Sequence, residues 1–266
     1  MKKLFISLCG LIAYSCDFQK DVIIKLPPYE KELVVECYIE RGKPLRMLLL
    51  ETDGYFDTLR FPLINNAKVA FSFNGVTDII KFFPFFDFPG RKLFNYNTPT
   101  VPNYDTNAVY NLTIEDSLGR KLEGQTRFLK IQEFDSIDVK YNSTDSLARF
   151  LMYVNDFPGE SNYYRVIFNE DSLTGSPVLE FEFSDRNLDG QRFPIGTSFR
   201  FKSGKTMYIR LYHLEKQYFD YLESIESANR ANGNPFAQPA TILSPMKGNG
   251  YGIFTTINMK MHIVKY

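Results

Sequence analysis

The sequence predicts an all-β protein: an immunoglobulin-like β-sandwich over residues 31–130, then a second β-rich domain over 131–266 with one prominent helix at 213–230. Three observations predict it. Apolar and polar residues alternate at period two along most of the chain, as on half-buried strands. Turn signals such as Asn74-Gly75 and Asp116-Ser117-Leu118-Gly119 separate these runs. A single stretch repeats its apolar residues at helical spacing. The length of 266 residues suits one large domain or two small ones, at about 100–200 residues each.

Residues 1–15 read as a lipoprotein signal peptide. Lys2 and Lys3 give a positive start, and the apolar run Leu4 to Tyr14 is shorter than the about 20 residues that span a bilayer. Ala13 and Ser15 are small residues of the kind that precede a cleavage point, and they lead directly into Cys16. The order Ala-Tyr-Ser-Cys resembles the lipobox of bacterial lipoproteins, in which the signal is cut before a diacylated Cys. Cys16 is therefore the expected lipid attachment; two or three acyl chains hold a protein on a membrane where one does not. Residues 16–30 form the tether, stiffened at its end by Pro27-Pro28. Loss of Cys9 with the signal and lipidation of Cys16 leave Cys37 alone, so no intrachain disulfide is expected. Cys37 alternates inward with Leu33, Val35 and Ile39, which fits a small core residue better than a reactive thiol.

That alternation sets the first strand, and residues 44–51 set a second. Val69, Phe71 and Phe73 lead into Asn74-Gly75, two residues that tolerate positive φ, so a hairpin is expected there. Tyr110, Leu112 and Ile114 precede the turn at Asp116 and a returning strand near 121–128. The count of about six to seven strands is that of an immunoglobulin-like sandwich. Residues 81–97 break the pattern, with Phe82, Phe83, Phe85, Phe86 and Phe88 set among Pro84 and Pro89. Proline removes a ladder donor, so this reads as a Pro-broken aromatic loop. It is either folded over the sandwich end or presented to a partner, and its five Phe are the candidate partner contact.

From 131 the alternation restarts. Strands are expected at 137–141, 150–154, 162–168, 178–184, 198–203 and 206–212. Leu214, Tyr218, Tyr221, Leu222 and Ile225 make the helical stripe, and Asn232-Gly233 before Pro235 offers its stop. Residues 234–252, rich in Pro, Gly and Asn, read as a long ordered loop before a last strand at about 252–264.

Several strings carry a family resemblance: ELVVE (32–36), DSID (135–138), NDFPGESNYYRV (155–166), FSDRNLDGQ (183–191), and YFDYLESIESANRANGNPFAQPATILSPMKGNGYGIFTT (218–256). Together they resemble the "domain of unknown function 4249" family of Bacteroidota envelope lipoproteins, over nearly the whole chain after Cys16. Ser244-Pro245-Met246 departs from it, standing where an Asn-containing turn is expected. The resemblance implies an envelope lipoprotein, often in the genomic company of TonB-dependent outer-membrane receptors. It implies no catalytic residues.

The chemistry-bearing residues are sparse. With 31 basic and 31 acidic side chains and no basic block, nucleic acid is not an expected partner. His213 and His262 lie on different elements with no metal-binding spacing, so ordinary surface or end-of-strand histidines are expected, and no metal or cofactor. Asp185, Asn187 and Asp189 before Gly190 imitate half of a calcium loop, but the twelfth position is Gly196 rather than Glu; a polar turn accounts for them better. Gly248-Asn249-Gly250-Tyr251-Gly252 lacks a strand-then-helix setting and reads as a bent loop, not a phosphate cradle.

An Asp-Ser/Thr-aliphatic triplet recurs at Thr58, Ser117, Ser136, Ser146 and Ser172, where composition alone gives about one. It resembles an O-glycosylation acceptor of Bacteroidota exported proteins. The same residues also start turns through Asx bonding.

The expected function is that of a non-enzymatic binding or accessory lipoprotein of the outer membrane, beside a TonB-dependent receptor barrel. The alternatives are an envelope hydrolase using carboxylates from different strands, or a purely structural envelope protein. Residues 17–21 share only part of a Lys-then-acidic surface-export signal, so the periplasmic and outer faces both stay open.

Overall fold

Sequence alternation becomes alternation of burial from the first strand onward. β1 (Leu33–Glu40) buries Leu33, Val35, Cys37 and Ile39 and turns Val34, Glu36, Tyr38 and Glu40 outward. The structure is a computed structural model that describes residues 30–54, 62–88, 90–232, 238 and 240–266. Cys16, Thr58, Pro89, Gly233 and Pro235 lie outside the described residues, as does the expected signal peptide.

Among the described residues, seven strands occupy the first half. β1 pairs antiparallel with β2 (Arg46–Glu51). β3 (Lys68–Phe73) and β4 (Val76–Asp87) form the expected hairpin, with Asn74 and Gly75 at φ 48° and 76°, the two positive φ values of a type I′ turn. β5 (Lys92–Asn97) pairs β4 and β2, while β6 (Tyr110–Glu115) pairs β3 and β7 (Lys121–Thr126). The inward faces of β1 and β2 meet those of β3, β6 and β7 in one apolar core that includes Phe71, Tyr110 and Phe128. Cys37 is fully buried there and its thiol pKa is raised by that burial.

The expectation of a Pro-broken loop at 81–88 is corrected: β4 is a continuous strand through Pro84. Its first half pairs β3 as far as Ile80, and its second half pairs β5 from Lys81. Pro84 sits at the register shift between Phe82 and Phe85, opposite β5 alone. A bulge on a strand with one neighbour is where a residue without an N–H is tolerated. The Asn97 amide donates to the Phe83 carbonyl, 2.8 Å, inside that bulge.

The second half repeats the two-layer plan. β8 (Phe134–Tyr141), β9 (Leu147–Asn155), β12 (Arg192–Gly196) and β13 (Phe201–Lys202) form a four-stranded sheet around β9. It packs on β10 (Tyr163–Glu170), β11 (Leu179–Ser184) and β14 (Thr206–Leu214) through a core holding Phe150, Tyr164 and Phe168.

One strand belongs to both halves. β15 (Lys247–Gly248) lies on β7, and β16 (Gly250–Lys265) follows it. Residues 250–257 of β16 run parallel to β1, and residues 258–265 run antiparallel to β14. At about 3.3 Å per residue this strand is roughly 50 Å long. It makes one twelve-stranded sheet of β11-β10-β14-β16-β1-β2-β5-β4-β3-β6-β7-β15. The expected loop at 234–252 therefore ends at Lys247, where β15 starts.

Helix α1 (Lys216–Ala231) starts three residues later than expected, because His213 and Leu214 still pair with β10. Asn232 closes the helix, its N–H donating to the Ala228 carbonyl. Tyr218 and Phe219 pack with Leu214 and Ile253 on the outward face of the sheet.

Candidate functional site

The outward faces of β1, β14 and β10 lie side by side because β16 joins them. Tyr38 and Glu40 project from β1, Arg210 and Tyr212 from β14, and Arg165 from β10. α1 forms one wall through Tyr218, Tyr221, Leu222 and Ile225, and the β4–β5 hairpin forms the other through Asp87, Lys92 and Phe94. The cleft between them is about 560 Å³, within the range of small-molecule sites.

Its aromatic and charged groups are ordered against one another. Tyr38 and Tyr218 meet at 6.0 Å between ring centroids, and the Lys92 ammonium lies 4.8 Å from the Tyr38 ring. Burial pushes the Tyr218 and Tyr221 phenols up to about 12 and raises Tyr38 and Tyr212 as well. All four are neutral hydroxyl donors at ordinary pH.

Most cations here are matched. Arg46 reaches Asp87 at 3.1 Å and Glu40 at 3.6 Å, and Lys92 reaches Glu36 at 3.5 Å. Lys43 pairs with Glu40. Arg165 lies 2.6 Å from Glu180 and 3.0 Å from Glu182. Arg210 differs. It donates to Asn169 Oδ1 at 2.6 Å and to Tyr212 Oη at 3.1 Å, and meets no carboxylate among the described residues. Its Nε, like that of Arg165, is buried without a hydrogen-bond acceptor.

The five candidate Phe lie along and just past the second half of β4, in the hairpin that walls the cleft. Phe82, Phe83, Phe86 and Phe88 are 39%, 65%, 47% and 80% exposed, whereas Phe85 is half-buried and stacks on Phe94. Phe86 and Phe88 pack edge to face at 5.1 Å, and Phe82 packs on Tyr96.

Two segments distant in sequence meet at the end of the second sandwich. Asp185 and Asp189 come within 4.8 Å of each other and of Asp156, a residue the calcium-like spacing does not include. Protein donors already engage all three. Asp156 accepts from Tyr164 Oη at 2.6 Å and the Gly190 N–H, Asp189 from the Gly159 N–H, and Asp185 from Asn162. Asn187 takes φ 69° in the connecting turn. His213 is buried beside this knot, its Nδ1 2.8 Å from the Lys130 carbonyl and its Nε2 2.9 Å from Asn162 Oδ1. Burial lowers its pKa. His262 lies elsewhere, ring to ring with Phe134.

The triplet hydroxyls are scattered. Ser117, Ser146 and Ser172 are exposed on turns, and Ser136 is half-buried in β8. Asp116 and Asp145 each accept the N–H two residues on, the Asx bond. Asp171 instead accepts from the Thr206 N–H, and Asp135 from Arg192.

A family model described as Domain of unknown function (DUF4249) matches residues 19–262. The chain belongs to this family. In this DUF4249 member the strings 155–166 and 183–191 build the Asp156–Asp185–His213 knot, and 218–256 supplies α1 and the first half of β16. Ser244, at the departure noted above, hydrogen-bonds both the N–H and the carbonyl of Gly252, at 3.0 and 3.1 Å. No curated protein matches the chain. Among solved structures, a chain titled "Cytokine receptor complex - Crystal form 1A" is similar at 9% identity and a TM-score of 0.29, over 87% of this chain and 95% of that one. A likeness at that level carries no argument.

The sheet residues of the cleft were missed in the sequence, and those of α1 were read only as its apolar stripe. The signal for the sheet residues was the polar half of the alternation: Arg210 and Tyr212 on β14, and Arg165 on β10.

Proposed function

We propose that this DUF4249 protein is a non-enzymatic, lipid-anchored binding component of the outer membrane. In this reading Cys16 carries the lipid, and the partner is a TonB-dependent receptor barrel engaged through the β4 aromatic edge. The observation that carries it is the exposure of Phe82, Phe83 and Phe86 on β4, whose second half has β5 as its neighbour, and of Phe88 just past its end. Contiguous exposed apolar side chains on one edge mark interaction sites. The lipobox-like order before Cys16 supports the anchor, and the Bacteroidota setting rests on the family resemblance.

The test is affinity purification from native membranes, with the wild type and with a Phe83→Ser, Phe86→Ser, Phe88→Ser triple variant. Recovery of an outer-membrane barrel with the wild type and its loss with the variant supports the reading. Recovery of the wild-type protein alone, or of the barrel equally with both, sinks it. Cys16→Ser is expected to move the protein to the soluble fraction, and protease treatment of intact cells tells which membrane face carries it.

A further inference from the structure

We infer that the cleft between α1 and the twelve-stranded sheet binds a small organic monocarboxylate, anchored by the guanidinium of Arg210. Three features of the site lead there. Of the five cationic side chains lining it, Arg210 alone meets no carboxylate among the described residues. A guanidinium offers five N–H donors, and Asn169 and Tyr212 take two of them. Nε, whose N–H is one of the remaining three, is buried without an acceptor, a state that is unfavourable unless something compensates it. A charged acceptor at the same guanidinium is that compensation, since a planar fork suits a planar carboxylate.

The surroundings set the size and charge of the ligand. Glu36, Glu40 and Asp87 already engage Lys43, Arg46 and Lys92, and Glu180 and Glu182 engage Arg165, so one unmatched cation is left for the ligand, which suits a single carboxylate better than a dianion such as phosphate. Tyr38, Tyr212, Tyr218 and Tyr221 present ring faces and neutral hydroxyls, which suit a body that is partly apolar and carries acceptors. Leu173 and Thr174, from the exposed β10–β11 connection, also line the cleft.

This site is separate from the aromatic edge. Arg210→Gln is expected to leave barrel copurification unchanged, and the triple Phe variant is expected to leave carboxylate binding unchanged.

The probes are sodium benzoate, sodium glucuronate and inorganic phosphate, added to the full folded protein. The readouts are tyrosine fluorescence, which no Trp obscures, and ligand-observed NMR. Saturable binding of at least one carboxylate, weaker binding of phosphate, and a loss of about 10- to 100-fold in Arg210→Gln are expected. Protection of Arg210 by that carboxylate against phenylglyoxal, located by peptide mass in the wild type, tests the same point if the variant does not fold. No saturable binding by either carboxylate, phosphate binding as tight, equal affinity in folded Arg210→Gln, or protection of other arginines but not Arg210 overturns the inference.

Discussion

Replacing Gly252 with Ala tests what joins the two sandwiches. Gly252 lies on β16 opposite Val35 of β1, with φ +133°. A Cβ built there falls 1.9 Å from the Val35 carbonyl oxygen, where ordinary contact begins at 3.4 Å. The shortfall is too large for a side chain to absorb, because the obstacle is backbone within a paired ladder. Overpacking of this kind costs about 1–3 kcal/mol. A non-Gly residue in that part of φ space adds about 1–3 kcal/mol. Together they give about 4 kcal/mol, or roughly 10 °C in Tm for a chain of this size.

Gly119→Ala is the control. Gly119 also has positive φ, +78°, but nothing lies within 4 Å of its Cβ position. It carries the backbone cost alone, about 1 kcal/mol or roughly 3 °C. Both variants are melted by circular dichroism under one buffer. If they fall by the same amount within about 2 °C, the close approach of β16 to β1 is not what Gly252 serves.

Other outcomes follow from the same coordinates. Asp116→Asn removes a buried carboxylate whose Oδ2 accepts from Arg120 Nε at 2.8 Å and Nη2 at 2.6 Å, and is expected to cost about 3 kcal/mol in urea unfolding. Burial alone would raise the Asp116 pKa, but the Arg120 and Leu118 hydrogen bonds outweigh it and lower the value. That contribution is present above the unfolded value near about 3.9 and is lost as pH falls through the folded one, so the variant's deficit shrinks in acid. His213 titrates with the same sign for a different reason. Its folded pKa is held by burial below 6.5, so the unfolded chain takes up the proton first and stability falls as pH drops below that value. His213→Gln is expected to flatten the Tm profile between about pH 6.5 and 5; an unchanged slope removes His213 as its source. Intact mass of the native protein settles the triplet serines. A mass equal to peptide plus lipid rules out glycans at Ser117, Ser136, Ser146 and Ser172.

Local chemistry was legible in the sequence, and long-range pairing was not. The hairpin at Asn74-Gly75 follows from two residues that accept positive φ, and the buried rows of β1 and β6 follow from period-two alternation. The error at Pro84 came from treating a strand as having the same neighbours along its length. β4 changes partner at Lys81, and proline is tolerated past that point. Gly250 and Gly252 read as loop glycines because nothing local says that the Leu33 and Val35 carbonyls pass within 2.1 and 1.9 Å of their Cβ positions. Nothing in the spacing of Asp185 and Asp189 says that Asp156 lies beside them, since it enters from a different segment.

The cleft has the same origin as those misses. A sandwich strand hides one face and offers the other to water, so Glu36, Tyr38 and Glu40 on β1 read as an ordinary solvated row. The same holds for Arg210 and Tyr212 on β14. Neither row is a site alone. β16 pairs with β1 through residue 257 and with β14 from residue 258, and so sets the two rows edge to edge under the tyrosines of α1. Burial between helix and sheet raises the phenol pKa values, and Arg210 is left with a neutral amide and a phenol as acceptors. The unmatched charge is thus a product of topology: it exists because one strand is long enough to serve two sandwiches. Any change that weakens the β1–β16 ladder, Gly252→Ala among them, is expected to reduce carboxylate binding along with stability. Arg210→Gln is expected to reduce binding alone.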